Sequence, residues 1–133
     1  MRILIVDDDY VSRLKLKTLL AEYGDCDAVP DGELALKMFQ LAHDESVPYD
    51  LITMDVDMPK MWGQEVVKKI RKWESNYKKY LAKKAVKILM VSVHKDITDA
   101  LTSFREGCTG YMTKPVTPDS LEAALKKIKI SKK

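Results

Sequence analysis

The chain has 133 residues, of which 46% are hydrophobic and 32% are charged, and its formal net charge is +3. This length suits one domain, and the composition is typical of a folded globular protein, which excludes disordered and fibrous classes. No apolar run approaches the roughly 20 residues of a membrane-spanning helix, and the two cysteines lack disulfide or metal-ligand spacing. We therefore expect a cytoplasmic protein with reduced thiols.

The positive charge is concentrated in residues 64–88, which carry nine Lys and Arg residues against two Glu residues. That segment has a net charge of +7, so the rest of the chain sums to −4. Such asymmetry can attract an anionic partner. The basic residues alternate with an apolar stripe and no aromatic nucleic-acid motif accompanies them, which favours the solvated face of one long helix over nucleic-acid binding.

The first half of the chain shows strands and helices in alternation. An apolar strand over Arg2–Val6 is followed by a helical pattern that reaches Tyr23. A short strand over residues 26–29 leads through a Pro-Asp-Gly turn into a second helix. Residues 50–54 are then predicted to form the third strand.

The alternation continues in the second half. A third helix is predicted from Gly63 to about Tyr80, and a strand over residues 86–91. Asp96 is a suitable N-cap for a fourth helix, which Gly107 ends.

The chain ends with a fifth strand centred on residues 111–113 and a helix that Thr117 and Pro118 open. Five strand and helix pairs in strict alternation predict a parallel sheet covered by helices on both faces. A closed eight-fold barrel needs about 250 residues, so the sheet is expected to be open and doubly wound. We expect residues 1–133 to be a single domain without an output domain.

Polar side chains follow four of the predicted strands, at the edge where open α/β sheets bind ligands. They are Asp7, Asp8 and Asp9 after the first strand, Asp55 and Asp57 after the third, Ser92 after the fourth and Lys114 after the fifth. Carboxylates a few Å apart repel by roughly 4 kcal/mol per close pair, so such a group either binds a proton or a cation. Oxygen ligands without Cys or His favour Mg²⁺.

The same edge holds groups suited to phosphate chemistry. Lys114 and the Ser92 hydroxyl supply a cation and a donor for a phosphoryl oxygen. An ionised Asp can accept a phosphoryl group without a general base. The only histidines are His43 and His94, so no obvious Ser-His or Cys-His nucleophile pair competes with this interpretation.

Four motifs occur in order along the chain: ILIVDDD, MDVDMP, LMVSV and GYMTKP. Together they resemble the receiver domain of two-component response regulators, the CheY-like domains, over essentially the whole chain. The resemblance implies a flavodoxin-like (βα)5 fold with strand order 2-1-3-4-5. It also implies that a histidine kinase or phosphotransfer protein donates a phosphoryl group to Asp55 in two-component or phosphorelay signalling.

The resemblance also assigns the Mg²⁺ ligands. Asp55 is the phosphoacceptor and contributes to the metal site, and Asp8 is a direct ligand. Asp7 assists mainly through water. Asp57 coordinates through its backbone carbonyl, so its carboxylate need not be a ligand.

The remaining motif residues are expected to bind the phosphoryl group and transmit its presence. Ser92 matches the hydroxyl residue that moves inward on activation, and Tyr111 matches the aromatic switch that turns with it. Lys114 matches the lysine that pairs with the phosphoryl group, in a Lys-Pro step whose peptide bond is usually cis. The usual output surface consists of the fourth helix, the fifth strand and the fifth helix.

The chain departs from the compact members of this family in several places. The third helix and the following loop are longer, and the IRKWE stretch there resembles receivers of hybrid histidine kinases. Asp57 and His94 each lie two positions past a key residue, where the family tunes the lifetime of its phosphate. Val116 replaces a common aromatic residue.

The leading hypothesis is a phosphorylation-activated switch whose only chemistry is Mg²⁺-dependent self-phosphorylation and self-dephosphorylation, so it is not an enzyme acting on other substrates. It would bind a partner or pass its phosphoryl group onward. The alternatives are the receiver segment of a hybrid histidine kinase and a docking module that works without phosphorylation. A phosphohydrolase of the haloacid dehalogenase type would use Asp55-Val56-Asp57, but that motif belongs after a first strand and leaves the acidic triplet at Asp7 unexplained.

Overall fold

A computed structural model of the chain describes residues 1–77 and 85–132. Within these residues, five strands alternate with five helices. The elements are β1 (Arg2–Val6), α1 (Tyr10–Leu20), β2 (Asp25–Val29), α2 (Gly32–Asp44), β3 (Leu51–Asp55), α3 (Gly63–Tyr77), β4 (Lys87–Ser92), α4 (Ile97–Glu106), β5 (Gly110–Thr113) and α5 (Pro118–Lys127).

All neighbouring strands pair in parallel, in the order β2-β1-β3-β4-β5. This order confirms the doubly wound, flavodoxin-like fold. Because every strand runs in the same direction, the carboxyl ends of all five strands lie at one edge of the sheet. The residues that follow those strands in the sequence are therefore brought to one edge.

The three central strands, β1, β3 and β4, are buried on both faces, which explains why they are nearly continuous apolar runs. Successive side chains of β1 alternate between the two faces. Ile3 and Ile5 pack with buried residues of α1 and α5, whereas Leu4 and Val6 pack with those of α2 and α3. Two hydrophobic clusters therefore enclose the sheet, one on each side.

Short polar side chains begin four of the helices. The side chains of Asp9, Asp31, Asp96 and Thr117 accept hydrogen bonds from backbone N–H groups in the first turns of α1, α2, α4 and α5. Such caps satisfy amides that have no partner inside the helix. The structure confirms the caps predicted at Asp96 and Thr117.

The first helix is shorter than its apolar pattern predicted. The first helix ends at Leu20, three residues before the predicted position, and the N–H groups of Tyr23 and Gly24 both donate to the Leu20 carbonyl in a turn. Tyr23 is buried in the same cluster as Leu20. Its position in the apolar pattern therefore reflects packing into the core and not a continuation of the helix. The third helix is described up to Tyr77. The predicted extension to residue 80 lies outside the described residues.

A partly buried ion pair between Arg71 and Glu74 joins α3 to later parts of the chain. The Glu74 carboxylate is only 7% exposed. It accepts hydrogen bonds from the Arg71 guanidinium at 2.8 Å and from the Val86 N–H at 2.9 Å. Arg71 also donates to the carbonyl of Gly107, which ends α4 in a left-handed conformation at φ 110°. The last described turns of α3 are thereby attached to the residue that precedes β4 and to the end of α4.

Among the described residues, no helix is both long and apolar enough to cross a membrane.

Candidate functional site

Three carboxylates meet at the carboxyl edge of the sheet. Asp7 and Asp8 follow β1, and Asp55 is the last residue of β3. Asp7 and Asp55 are 1% and 4% exposed, whereas Asp8 is exposed. Oxygen atoms of all three lie within 4.8 Å of one another. The structure thus brings together the carboxylates of Asp7, Asp8 and Asp55, which the resemblance assigned to the metal site, whereas Asp57 was expected to contribute its backbone carbonyl.

Local hydrogen bonds fix the two buried carboxylates. The N–H of Asp9 donates to Asp7 Oδ1 at 2.9 Å, and the N–H of Asp57 donates to Asp55 Oδ1 at 3.3 Å. Arg13 on α1 donates to the carbonyl oxygen of Asp7 at 2.8 Å. The sequence analysis did not single out Arg13, because an arginine in the first turns of an exposed helix has no distinguishing local signal.

The start of α3 lies directly against the phosphoacceptor candidate. A Cβ atom added to Gly63 would lie 2.3 Å from the carbonyl oxygen of Asp55, which no real side chain tolerates. The N–H of Gly63 also donates to the Val56 carbonyl at 2.9 Å. Glycine at position 63 therefore permits α3 to begin close to the end of β3.

Lys114 is the cation of this site. Its Nζ lies 3.1 Å from Asp7 Oδ2 and 3.7 Å from Asp55 Oδ1, and its side chain is 22% exposed. Burial alone would lower the pKa of Lys114, but the charges of Asp55 and Asp7 outweigh burial and raise that pKa above its usual range. Lys114 is therefore a firmly charged ammonium group.

For Asp55, burial outweighs the attraction of the neighbouring lysine. Burial, followed by the negative charge of Asp7, raises the pKa of Asp55 above the usual carboxyl range, although Lys114 acts in the other direction. The cost of ionising Asp55 is therefore only partly offset by one lysine. A divalent cation among the same oxygens would offset the remainder.

The donor set fits Mg²⁺ rather than a softer metal. The three clustered side chains offer only carboxylate oxygens, which are the ligands that Mg²⁺ prefers. Asp8 is exposed, so part of the coordination sphere faces solvent, as suits an ion that retains several waters. Among the described residues, this is the only group of three or more His, Cys, Asp or Glu side chains placed for a metal.

Asp57 behaves differently from the clustered carboxylates. Its Oδ1 lies 2.9 Å from Nε2 of His94, and both side chains are partly exposed. The Asp57 carboxylate is not part of the acidic cluster, although its backbone stays beside Asp55. The sequence analysis noted that Asp57 and His94 each lie two positions past a key residue but did not pair them, because 37 residues separate the two.

Ser92 and Tyr111 both form hydrogen bonds to the backbone of His94. The Ser92 hydroxyl, at the end of β4, is fully buried and accepts a hydrogen bond from the N–H of His94 at 3.0 Å. The Tyr111 hydroxyl donates to the carbonyl of His94 at 3.1 Å, and its ring packs against the core. The predicted switch residues, Ser92 and Tyr111, are thus connected through one backbone segment. The Lys114–Pro115 peptide bond is cis, as the resemblance implied.

We expect Lys114→Gln to lower the free energy of unfolding by about 1.5–3 kcal/mol in metal-free buffer, because the buried Asp7 carboxylate loses its charged partner. Urea unfolding measures this change. The matched control is Lys126→Gln, which removes an exposed pair with Glu122 and should change stability by no more than about 1 kcal/mol. Equal stability of Lys114→Gln and wild type would show that Lys114 does not balance the acidic cluster.

Comparison with known proteins agrees with this site. The sequence matches the family model of the response regulator receiver domain over residues 3–126. It is 30% identical to the chemotaxis protein CheY4 of Vibrio cholerae, whose structure superposes with a TM-score of 0.78. That match covers 96% of this chain and 97% of CheY4. The chain therefore belongs to the response regulator receiver domain family of two-component systems.

Longer proteins contain similar segments. A probable transcriptional regulator, ycf27 of Cyanophora paradoxa, is 34% identical over 128 residues, which are 96% of this chain and 47% of that protein. Hybrid signal transduction histidine kinase I of Dictyostelium discoideum is 31% identical over 90% of this chain, which corresponds to 7% of the kinase. The chain thus spans about half the length of the first of these relatives and a small part of the second.

Proposed function

We propose that this receiver domain is a phosphorylation-activated signalling switch in which Asp55 accepts a phosphoryl group from a histidine kinase or a phosphotransfer protein. The main support is the position of Asp55, which shares a buried cluster with Asp7 and Asp8 and lies 3.7 Å from Lys114. This arrangement combines a nucleophilic carboxylate, a set of metal ligands and a fixed cation at one point.

The proposed reaction is a phosphoryl transfer between two side chains. An Asp55 carboxylate oxygen forms a bond to phosphorus while the bond from phosphorus to the donor's histidine nitrogen breaks, and the nitrogen keeps the electron pair. Asp7, Asp8 and the carbonyl of Asp57 would hold Mg²⁺, whose chemistry is to neutralise charge on the phosphoryl oxygens. Lys114 is placed to pair with another of these oxygens.

Activation is proposed to reach the surface through Ser92 and Tyr111. A phosphoryl group adds close to one further negative charge beside Ser92 and Lys114, which favours movement of nearby donors toward it. Because Ser92 and Tyr111 both bond to the backbone of His94, a shift at one affects the other. The proposed output face consists of α4, β5 and α5, where Leu101 and Phe104 are 53% and 47% exposed.

The proposed chemistry is confined to self-phosphorylation and self-dephosphorylation. A general phosphohydrolase would need Asp57 as a general acid, but its carboxylate is paired with His94. We therefore expect no sustained hydrolysis of small phosphate esters. The proposal also includes a cytoplasmic location, which the absence of disulfide spacing between the two cysteines in the sequence suits.

Intact mass spectrometry tests this proposal. After incubation with acetyl phosphate and Mg²⁺, we expect a single phosphoryl increment that a chelator prevents. Because rapid hydrolysis can conceal the increment, a parallel sample receives beryllofluoride, and the expected result is a rise in melting temperature that also requires Mg²⁺. Absence of both effects would refute phosphotransfer and favour a docking module that works without phosphorylation.

A further inference from the structure

The side chain of His43 lies among three aromatic rings between α2 and α3. Its ring centroid is 5.0 Å from that of Phe39, 4.9 Å from that of Trp73 and 5.6 Å from that of Tyr77. The receiver chemistry proposed above uses none of these four residues. The sequence analysis assigned no role to His43.

The aromatic rings also contact one another and extend from the core to the surface. Phe39 is fully buried and meets Trp73 edge-on at 5.4 Å, while Trp73 and Tyr77 stack at 4.6 Å with an angle of 18° between their rings. Tyr77 is 38% exposed. His43 belongs to the last turn of α2, and Trp73 and Tyr77 lie in the last described turns of α3. The imidazole therefore joins the last turn of α2 to the last described turns of α3.

Several charges act on this imidazole. Asp44 on α2 and Glu74 on α3 both favour its protonated form, although Glu74 is itself paired with Arg71. The carboxyl end of α2 favours a cation as well. Tyr77 is the other titratable side chain in direct contact. Burial among the rings opposes these influences and outweighs them, so the pKa of His43 falls below its usual value.

The rings around His43 supply the burial that opposes its charge. Their planes meet the imidazole plane at 73° for Phe39, 43° for Trp73 and 53° for Tyr77, so each contact is edge-on or tilted rather than stacked. All three ring centroids lie within 5.6 Å of the imidazole and occupy space that water would otherwise fill around a protonated ring. The packing of the cluster therefore makes protonation of His43 costly.

We propose that His43 is a pH-sensitive latch: the neutral imidazole holds the last described turns of α3 against α2, and protonation releases them. The direction of the pH effect follows from linkage. A histidine whose pKa is lower in the folded state than in the unfolded state binds fewer protons when folded. The contribution of the latch is therefore complete above the unfolded-state pKa, which is about 6.5, and is lost as the pH falls through the folded-state pKa.

Trp73 provides a spectroscopic test. The chain has two tryptophans, and Trp62 is 60% exposed, so Trp62→Phe leaves Trp73 as the single reporter. Between about pH 8 and about pH 5, we expect Trp73 emission to change with a midpoint below about 6.5 and to shift toward the red as the ring gains water. The double variant Trp62→Phe/His43→Phe keeps a ring in the cluster but cannot titrate there. Its emission should stay constant.

Two further measurements test the proposal even if the tryptophan variants are unstable. Proton NMR of the wild type gives the pKa of His43 directly, because His94 is the only other histidine and His94→Gln assigns the signals. The urea midpoint of wild type should fall between about pH 7 and about pH 5 by more than that of His43→Gln. A His43 pKa at or above the usual value, or a Trp73 response that persists without His43, would overturn the proposal.

Discussion

Asp55→Asn will not take up a phosphoryl group from acetyl phosphate, whereas the wild type gains one when Mg²⁺ is present. The amide of Asn is not a nucleophile toward phosphorus, while the ionised carboxylate is. No other clustered acid is expected to substitute, because both carboxylate oxygens of Asp7 already accept hydrogen bonds, from the Asp9 N–H and from Lys114, and Asp8 faces solvent. We therefore expect complete loss of the phosphoryl increment in intact mass spectra, rather than a partial decrease.

The matched control for this variant is Asp9→Asn. Asp9 lies on the same edge of the sheet and removing its carboxylate changes the net charge equally, but its oxygen caps α1 by accepting from the Ser12 N–H at 2.9 Å. Asn is as good an N-cap as Asp, so α1 should persist and phosphorylation should continue. If Asp55→Asn retained the phosphoryl increment, or if Asp9→Asn lost it, the assignment of the acceptor would be wrong.

Asp55→Asn also allows a check on folding. Removing one of three clustered carboxylates relieves repulsion, so we expect the metal-free variant to be more stable than wild type by on the order of 1 kcal/mol. Urea unfolding in the presence of a chelator measures this difference. A stable variant without phosphoryl uptake separates loss of chemistry from loss of structure.

Phe39→Ala is expected to lower the free energy of unfolding by about 3–5 kcal/mol, because it removes a buried ring and leaves a cavity between α2 and the sheet. Phe39 is fully buried and is one of the largest buried side chains of the chain. It also contacts Trp73 at 5.4 Å, so its loss weakens the packing of α2 on α3. The effect is a large share of the 5–15 kcal/mol that stabilises a typical domain.

Leu41→Ala on the same helix is the control for this prediction. Leu41 is 50% exposed, so the same kind of truncation should cost less than about 1 kcal/mol. Urea unfolding of both variants at neutral pH measures the difference in the free energy of unfolding. The same measurement at acidic pH, where we expect the contribution of His43 to be lost, separates the cost of the cavity from the effect of His43. Similar costs for Phe39→Ala and Leu41→Ala would contradict the described orientation of α2.

The strands were predictable because their apolar runs and the turns between them are local features. The boundaries of β1 and β3 agree with prediction to within one residue. The end of α1 did not agree, since Tyr23 satisfies the spacing of a helix yet packs into the core from a turn. The spacing of apolar residues indicates which side of the chain is buried. A helix and the turn that follows it can bury the same side, so this spacing does not locate the end of the helix.

In the candidate site, too, some features could be predicted from the local sequence and others could not. Asp7, Asp8 and Asp55 could be assigned from the sequence, because each follows an apolar strand and parallel strands end at one edge. For Asp57 the sequence predicted a role for the backbone carbonyl rather than the carboxylate, and only the structure shows that this carboxylate pairs with His94. Which way a loop carboxylate points depends on the path of the neighbouring loop, which has no local signal.

The sequence by itself determined the order of strands and helices, the edge where the chemistry gathers and the residue types available there. These follow from local hydrophobic period and from the chemical nature of each side chain. Only the tertiary structure decided which groups meet: Lys114 with Asp7 across 107 positions, and His43 with the rings of α3. Such contacts depend on helix packing and loop paths, because they join residues whose local sequences are independent of each other.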